Sequence, residues 1–223
     1  PHLVVRCARH YERAAAVVVS AAVLTASLFV EPPPPEWALP VGASVTSSAA
    51  ARIDLAGGWT DTPPVSYEAG GSVVNVAVTV SGERPVKAQC ERIVSRSVEL
   101  VCEGRDGTVT SRTVCSSLRD FEDFCVPQAP AALLKAALIC AGIGGLLSLS
   151  SSTSLEEQLG RVFGTGGIRI TSRSGLPQGS GMGTSSILAG VVLSAVCVAA
   201  GRAMSPSSLV HAVLRVEQLM TAG

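Results

Sequence analysis

The pattern of hydrophobic and polar positions predicts a domain that mixes strands and helices. Four short runs are apolar or alternate between apolar and polar residues, as strands do; they lie at 73–80, 85–89, 98–102 and 109–114. A fifth strand is expected where Ile168 and Ile170 alternate with polar neighbours. Because these strands are interspersed with helical segments, the fold class indicated is α+β.

Helical periodicity marks the segments that follow the strands. An amphipathic helix is expected at 129–147, and the nearly unbroken apolar run 187–200 predicts a buried helix. The Gly- and Ser-rich stretch 142–152 is expected to be a helix end and a mobile loop. Ser205 and Pro206 are typical of an N-cap and a first helical position. The apolar stripe of that last helix consists of Leu209, Val213, Val216 and Met220.

The beginning of the chain differs from the rest. Residues 14–30 carry no charge and follow Arg6, Arg9 and Arg13, an outline shared by signal peptides and short membrane anchors. Small and hydroxyl residues dilute the run, which has barely the length of a spanning helix. A helix packed against an upstream domain is the preferred interpretation, and the prolines at 32–35 form a stiff spacer. We therefore expect a helical extension and linker at 1–45 and a separate domain at 46–223.

The segment between the fifth strand and the apolar helix is rich in glycine and hydroxyl side chains. Glycines let backbone N–H groups approach a ligand, and a helix start carries partial positive charge. Such a segment can cradle the phosphates of a nucleotide, although a flexible surface turn is the alternative. Neither the P-loop nor the dinucleotide fingerprint is present. The residues expected at the phosphates are Pro177, Gly179, Ser180, Gly181, Met182, Gly183, Thr184, Ser185 and Ser186.

The segment 51–64 carries a second set of candidate residues. The planar guanidinium of Arg52 suits phosphate oxygens or a carboxylate. Asp61 follows two glycines, so its carboxylate is expected on a tight turn where it can accept hydrogen bonds from sugar hydroxyls. Trp59 could pack against an apolar sugar face. The alternative is a structural ion pair at a strand end, with Trp59 in the core.

Glu217 lies near the apolar side of the last predicted helix. A carboxylate there needs a partner, because burial of an unpaired charge is costly. Mg²⁺ would supply one, with further oxygen ligands from a serine hydroxyl and from ATP phosphates. The alternative is an ion pair with Arg215 or Arg202 at the surface.

Two of these segments, in the order in which they occur, resemble motifs of the GHMP kinases, the superfamily of galactokinase, homoserine kinase and mevalonate kinase. The segment 177–186 is similar to their second motif, with Met182 in place of the usual Leu and Thr184 in place of the usual Ser. The segment 51–64 resembles the first motif of the sugar-specific members, and its Gly-Gly-Trp-Thr-Asp-Thr-Pro-Pro form is similar to L-fucose kinases. The resemblance implies the N-terminal domain of that superfamily, with its ribosomal-protein-S5-like arrangement.

The resemblance also implies a reaction and roles for the candidate residues. ATP and Mg²⁺ would be the cosubstrate and cofactor, and the anomeric hydroxyl of L-fucose would be phosphorylated to L-fucose 1-phosphate. Arg52 would be catalytic by stabilising the developing charge, and Asp61, with Trp59 beside it, would bind the sugar. The metal would be held by Ser185, Ser186 and Glu217. A heptose or galactose kinase, or a non-catalytic binding module, remains an alternative.

The chain departs from the GHMP kinases after Glu217. In the kinases that it resembles, that helix is followed by a segment of the Gly-Gly-Gly-Trp-Gln-Asp type, whose aspartate is the catalytic base. Only six residues follow Glu217 here. We therefore expect a piece that lacks the N- and C-terminal domains of the full-length enzyme and that is inactive alone, since loss of a base costs about 10²–10⁴-fold.

Charge and cysteine usage limit the partners. Seventeen basic and seventeen acidic residues balance, which argues against nucleic acid or an anionic membrane as a partner. The seven cysteines include no C-x-x-C pair, and the three histidines are far apart. Reduced thiols in the cytoplasm are therefore expected, and a zinc site is not.

Overall fold

The computed structural model describes residues 2–27, 37–62, 65–126, 128–145, 154–177 and 183–221. The helices and strands of these segments, in chain order, are α1 (His2–Ser27), β1 (Ser44–Ala49), β2 (Ala51–Ala56), α2 (Val65–Glu68), β3 (Val74–Val78), β4 (Val86–Ile93), β5 (Val98–Glu103), β6 (Val109–Cys115), α3 (Ala132–Cys140), α4 (Leu155–Phe163), β7 (Gly167–Ser174), α5 (Thr184–Ala199) and α6 (Pro206–Thr221). A short 3-10 turn also follows β6 at Leu118–Phe121.

The strands form one large mixed sheet and one small sheet. The large sheet has the order β1-β4-β7-β5-β6, and the small one is an antiparallel pair of β2 and β3. In the large sheet β5 and β7 are parallel, whereas the other neighbours are antiparallel. Since β7 is the central strand, the chain leaves the middle of the sheet at Ser174, and α5 begins ten residues later at Thr184.

One face of the large sheet is buried beneath helices. Alternate residues of the central strands point to that face, as the period of two requires, and Ile168 and Ile170 of β7 and Leu100 of β5 are fully buried. The helix α5 packs against β4, β1, α3 and α6. Complete burial of one large aliphatic side chain contributes about 1.5–3 kcal/mol, so this layer supplies the main stability of the described fold.

The opposite face of the large sheet carries a ladder of alternating charge. Arg169 of β7 lies between two carboxylates on neighbouring strands, and its guanidinium nitrogens are 3.0 Å from Glu91 Oε2 and 3.0 Å from Glu99 Oε2. Arg112 of β6 continues the ladder at 2.8 Å from Glu99 Oε2. Opposite charges on facing positions stabilise neighbouring strands, so this solvent-facing side needs no apolar cover.

Arg92 is a buried cation at the junction of β4, α4 and β7. Only 1% of its surface is exposed. Its guanidinium donates to the carbonyl oxygens of Leu39, Phe163, Thr165 and Gly167, and it stacks 4.5 Å above the Phe163 ring. Burial lowers the pKa of this side chain. Because buried charge is costly without hydrogen bonds, these carbonyls are what make the position tolerable.

The structure confirms the five predicted strands and the last two helices, with changes in their bounds. The hydroxyl residues expected to precede the apolar helix form its first turn, because α5 begins at Thr184. The prediction of one amphipathic helix at 129–147 was wrong. The helix α3 ends at Cys140 and is buried on nearly all sides, including Lys135, which pairs with Asp123 at 2.5 Å.

Four of these helices and strands were missed. The strands β1 and β2 were not predicted, and neither were α2 and α4. Ser154 begins α4 with a capping box, since its hydroxyl accepts from Glu157 N–H at 3.2 Å and the Glu157 carboxylate accepts from Ser154 N–H at 2.9 Å. That Ser-x-x-Glu spacing is a recognised helix start, so the sequence did contain the signal. The predicted loop at 142–152 lies mostly outside the described residues.

Residues 14–27 of the uncharged N-terminal run form the end of α1, which contacts α6. The proline spacer at 32–35 lies outside the described residues, and the division at about residue 45 stays a prediction. Within the described segments, no helix combines the length and the apolar character that a bilayer crossing requires.

Candidate functional site

The small sheet positions Arg52. Residues two apart on a strand point to the same face, so Arg52 and Asp54 of β2 lie side by side. Arg52 Nε is 3.1 Å from Asp54 Oδ1, and Arg52 Nη2 donates to Asp54 Oδ2 at 3.4 Å. The ion pair named as the alternative therefore exists, and its carboxylate is that of Asp54. Asp54 fixes the direction of the guanidinium.

The turn after β2 is held by close backbone contacts. Gly57 has φ +79°, and a Cβ there would lie 1.9 Å from the carbonyl oxygen of Ser72. Thr60 crosses the same gap, because its hydroxyl donates to Gly57 O at 2.6 Å and accepts from Ser72 N–H at 3.1 Å. A glycine is therefore required at position 57. The turn cannot open without loss of these hydrogen bonds.

Trp59 and Asp61 lie on this turn and face solvent. Trp59 is 83% exposed and has φ +74°, an uncommon conformation for a bulky residue. The core alternative for Trp59 is thereby excluded. Asp61 is exposed as well. A large exposed aromatic ring in a strained conformation and a nearby carboxylate form a surface that could receive a ligand, in the manner predicted for a sugar.

The N-terminus of α5 meets Arg52. Gly183 caps this sixteen-residue helix with φ +63°. A Cβ at Gly183 would lie 3.3 Å from Arg52 Nη2 and 3.4 Å from Arg52 Cζ. Arg52 and Gly183, 131 positions apart in the sequence, thus meet so that a guanidinium lies over the first turn of a helix. Both the cation and the helix N-terminus favour an anion at this point.

Ser186 and Glu217 join the same region from two helices. Ser186 Oγ, in the first turn of α5, donates to Glu217 Oε1 of α6. Both side chains are partly buried, because α5 and α6 pack together. Of the cations proposed as alternative partners of Glu217, Arg202 donates to the carbonyl of Ala141 at 2.9 Å. The hydroxyl and carboxylate oxygens form a pair beside the helix start.

The other predicted phosphate-binding residues are distributed around this helix start. Pro177 is the last described residue before the glycine segment, and it is exposed. Thr184 is partly buried and Ser185 is exposed, both in the first turn of α5. The predicted contacts of Gly179, Ser180, Gly181 and Met182 lie outside the described residues.

A groove of about 730 Å³ runs from this cluster between β1, α5 and α6. Ser186, Glu217 and Arg84 contribute its polar groups, and apolar side chains such as Leu209 and Val213 of α6 form its walls. Chemically, the cluster combines a fixed cation, a helix N-terminus and a pair of oxygen ligands. That combination suits a phosphate group accompanied by a hard cation.

Comparisons with known proteins place this chain among kinase relatives. Residues 148–223 match the sequence family of the GHMP kinase N-terminal domain. The chain is 39% identical over 177 residues to the L-fucokinase/L-fucose-1-P guanylyltransferase of Bacteroides fragilis. It is 30% identical over 173 residues to the bifunctional fucokinase/GDP-fucose pyrophosphorylase of Arabidopsis thaliana. Each match covers 77% of this chain but only 18% and 14% of the respective relative, so the chain spans less than a fifth of the length of either protein.

Solved structures share the fold. The D-glycero-D-manno-heptose 1-phosphate kinase of Bacteroides thetaiotaomicron superposes with a TM-score of 0.53 at 20% identity, over 79% of this chain and 48% of that one. The mevalonate kinase of Methanococcus jannaschii gives 0.50 at 14% identity, over 81% and 48%. The α+β fold predicted from the motifs is thereby confirmed. The chain has the fold of the GHMP kinases, and its residues 148–223 match the N-terminal domain of that family.

Proposed function

We propose that this chain supplies the ATP-binding part of a kinase that phosphorylates the anomeric hydroxyl of L-fucose to give L-fucose 1-phosphate. The observation that carries the proposal is the contact of Arg52 with Gly183 at the start of α5. The sugar is proposed from the printed names of two relatives, both of which include fucokinase activity. A GHMP domain by itself would fit several small-molecule acceptors.

In the proposed reaction, the anomeric oxygen of the sugar attacks the γ-phosphorus of ATP. The bond from that phosphorus to the β,γ-bridging oxygen breaks, ADP leaves, and the hydroxyl proton passes to a base. Arg52 would interact with the phosphoryl oxygens as charge accumulates on the leaving and transferring groups, held in direction by Asp54. Such positioning and charge stabilisation supply most of the catalysis in phosphoryl transfer.

The residues of the site fit a magnesium ion. Mg²⁺ binds one or two protein oxygens and takes its other ligands from substrate phosphates and water, and the adjacent oxygens of Ser186 and Glu217 are such a pair. Among the described residues no cluster of three or more acidic, His or Cys side chains competes as a metal site. When bound, the ion would neutralise phosphate charge. Ser185 in the same turn is the further proposed ligand.

Asp61 and Trp59 would bind the sugar. Asp61 can accept two hydrogen bonds from adjacent hydroxyls, and the exposed Trp59 ring can cover an apolar sugar face. The aspartate that acts as base is proposed to lie in a segment beyond these residues. All seven cysteines are free thiols in the described segments, which supports a reducing cytoplasmic location.

A binding experiment tests the site in this chain. Titration calorimetry with Mg-ATP should show binding that Arg52→Gln and Glu217→Gln each weaken by about tenfold, the usual cost of one charge-assisted hydrogen bond. The Glu217 effect should disappear when ATP is titrated without magnesium. Arg119→Gln, an exposed arginine on the turn after β6, is the matched control. Equal affinity for Mg-ATP in all variants would contradict the proposed phosphate site.

A turnover experiment tests the substrate. ADP release from Mg-ATP is compared with L-fucose, D-galactose and a heptose, for this chain and for a protein extended through the predicted aspartate segment. We expect turnover with L-fucose, in the extended protein only. Turnover by the short chain would place the base within residues 1–223, and a preference for another sugar would overturn the assignment of L-fucose.

A further inference from the structure

A second concentration of positive charge lies where β4 begins and β7 ends. There a cleft of about 290 Å³ is lined by four cationic side chains, Arg84, Lys87, Arg105 and Arg173. The carboxylate in that lining is Glu83, and Lys87 Nζ pairs with it at 2.8 Å. In the described part of the chain, the three arginines form no salt bridge. The cleft therefore has an excess of cations that its own side chains do not neutralise.

The strand register explains why Arg173 lacks a carboxylate partner on β4. Lys87 of β4 lies directly opposite Arg173 of β7, and like charges in facing positions destabilise a sheet. Arg169, four residues earlier on the same strand, lies opposite Glu91 and pairs with it. On its other side Arg173 is in register with Glu103 of β5, but among the described residues no salt bridge joins these two side chains.

The guanidinium of Arg173 is held in place by backbone rather than by a counter-ion. Its Nη2 donates to the carbonyl oxygen of Arg105 at 2.6 Å. The nearby carboxylate of Asp106 is engaged locally, since Oδ1 accepts from Thr108 N–H at 3.0 Å and from Thr108 Oγ1 at 2.7 Å. This arrangement directs a fixed cation at the cleft and leaves its remaining donors for a ligand.

We propose that this cleft binds a phosphate group of a small phosphorylated molecule, at a subsite separate from the N-terminus of α5. Guanidinium groups match the geometry and charge of phosphate oxygens. A volume near the lower end for ligand pockets suits one or two phosphates rather than a whole nucleotide. Gly175 lines the cleft two residues before Pro177, and Arg84 lines both the cleft and the groove that contains Glu217. The subsite is therefore adjacent to the proposed kinase site without sharing its anion-binding atoms.

Pyrophosphate is the probe for this subsite. Its affinity is measured by calorimetry in a low-salt buffer with chloride as the only other anion. Arg173→Gln should weaken binding about tenfold, since it removes a charge-assisted hydrogen bond. Arg112→Gln, on β6 at the edge of the same sheet, makes the same change in net charge and should leave affinity within about twofold. An equal loss of pyrophosphate affinity in both variants would mean that the anion is attracted only by the overall positive charge of the surface, and it would overturn the proposal.

Two further measurements separate this subsite from the kinase site and from a structural role. Because pyrophosphate can also bind at α5, the titration is repeated in Arg52→Gln, which should keep the binding that Arg173→Gln removes. Loss of all pyrophosphate binding in Arg52→Gln would place the ligand at α5 and overturn the subsite. Without any added phosphate, Arg173→Gln should change the Tm little, because Arg173 forms no salt bridge among the described residues and faces Lys87 on β4. Arg169→Gln should lower the Tm. A comparable fall of the Tm in Arg173→Gln would mean that Arg173 stabilises the fold, and it would contradict a binding role. Neither readout requires ATP or sugar, so failure here is distinct from failure of the kinase proposal.

Discussion

The large sheet and the small sheet of this protein differ in what keeps them folded. The large sheet buries Ile170 and Leu100 completely beneath helices. The small sheet leaves Ile53 42% and Leu55 65% exposed, although both lie on β2. Apolar burial is the dominant stabilising term, and it is concentrated in one region. The small sheet depends on the hydrogen bonds of its turn and on its own strand pairing.

The proposed site draws residues from both regions. Arg52, Trp59 and Asp61 are all on β2 or on its turn, whereas α5 and α6 of the buried region supply Ser186 and Glu217. Segments that are weakly packed open locally at low cost. The proposed site therefore combines a rigid half that holds oxygen ligands and an anion-binding helix start with an adaptable half that presents a cation and the sugar contacts.

The largest expected effect tests that difference directly. Ile170→Ala removes a fully buried side chain from β7 and should lower the free energy of unfolding by about 2–5 kcal/mol. The same change at Ile53, 42% exposed on β2, should cost about 0.5 kcal/mol or less. Urea unfolding followed by circular dichroism measures both. Similar losses would mean that the small sheet is a cooperative part of the core.

A pair of glycines tests the turn of the small sheet. Gly57 and Gly82 both have φ +79°, but a Cβ at Gly57 meets Ser72 O at 1.9 Å, whereas at Gly82 nothing lies within 4 Å. Gly82→Ala should cost about 1–2 kcal/mol through backbone strain alone. Gly57→Ala should also displace the turn, so Mg-ATP binding through Arg52 should weaken in that variant only. Equal ATP affinity in the two variants would show that the turn does not position Arg52.

The charge ladder of the large sheet predicts a dependence of stability on pH. The hydrogen bond from Arg169 and a second one from Arg112 hold the pKa of the Glu99 carboxyl below its usual value. A depressed folded-state pKa gives stability that is present above the unfolded value, near 4.3, and is lost as the pH falls through the folded value. Glu99→Gln should therefore flatten the fall of the Tm below about pH 5.

Glu103→Gln is the control for that experiment. Glu103 lies on the same strand and takes no part in a salt bridge among the described residues. Its replacement should preserve the slope of Tm against pH in the acid range. A slope unchanged by Glu99→Gln would mean that other carboxyls dominate acid unfolding.

The smallest effect concerns thiol reactivity, which changes no stability. Burial raises the pKa of Cys90 and of Cys140 to about 12, whereas Cys7 and Cys125 are exposed. Since the thiolate is the reactive form, a disulfide reagent at pH 8 should label the exposed pair quickly and the other two only on unfolding. Mass mapping of labelled peptides measures this. Rapid labelling of Cys90 would show that the large sheet opens readily.

The local elements of the fold were largely predictable because their signals are local. Alternation gave the strands, and the Ser205-Pro206 start gave α6 at the residue where it begins. The helix α3 was mispredicted in length and exposure, because an apolar run does not reveal how many sides neighbouring elements cover. The sequence contains the capping box of α4, but the Gly- and Ser-rich stretch before it led to the prediction of a loop.

By itself the sequence indicated the family, most of the strands and helices, and the candidate residues of the site. Those depend on side-chain identity and on short spacings, which the chain carries wherever it folds. Only the tertiary structure decided that Asp54 holds Arg52, that Arg52 reaches Gly183, and that Ser186 meets Glu217. It also decided that Lys87 faces Arg173. Contacts between distant residues follow from strand register and helix packing, which are set by the whole core and not by any one segment.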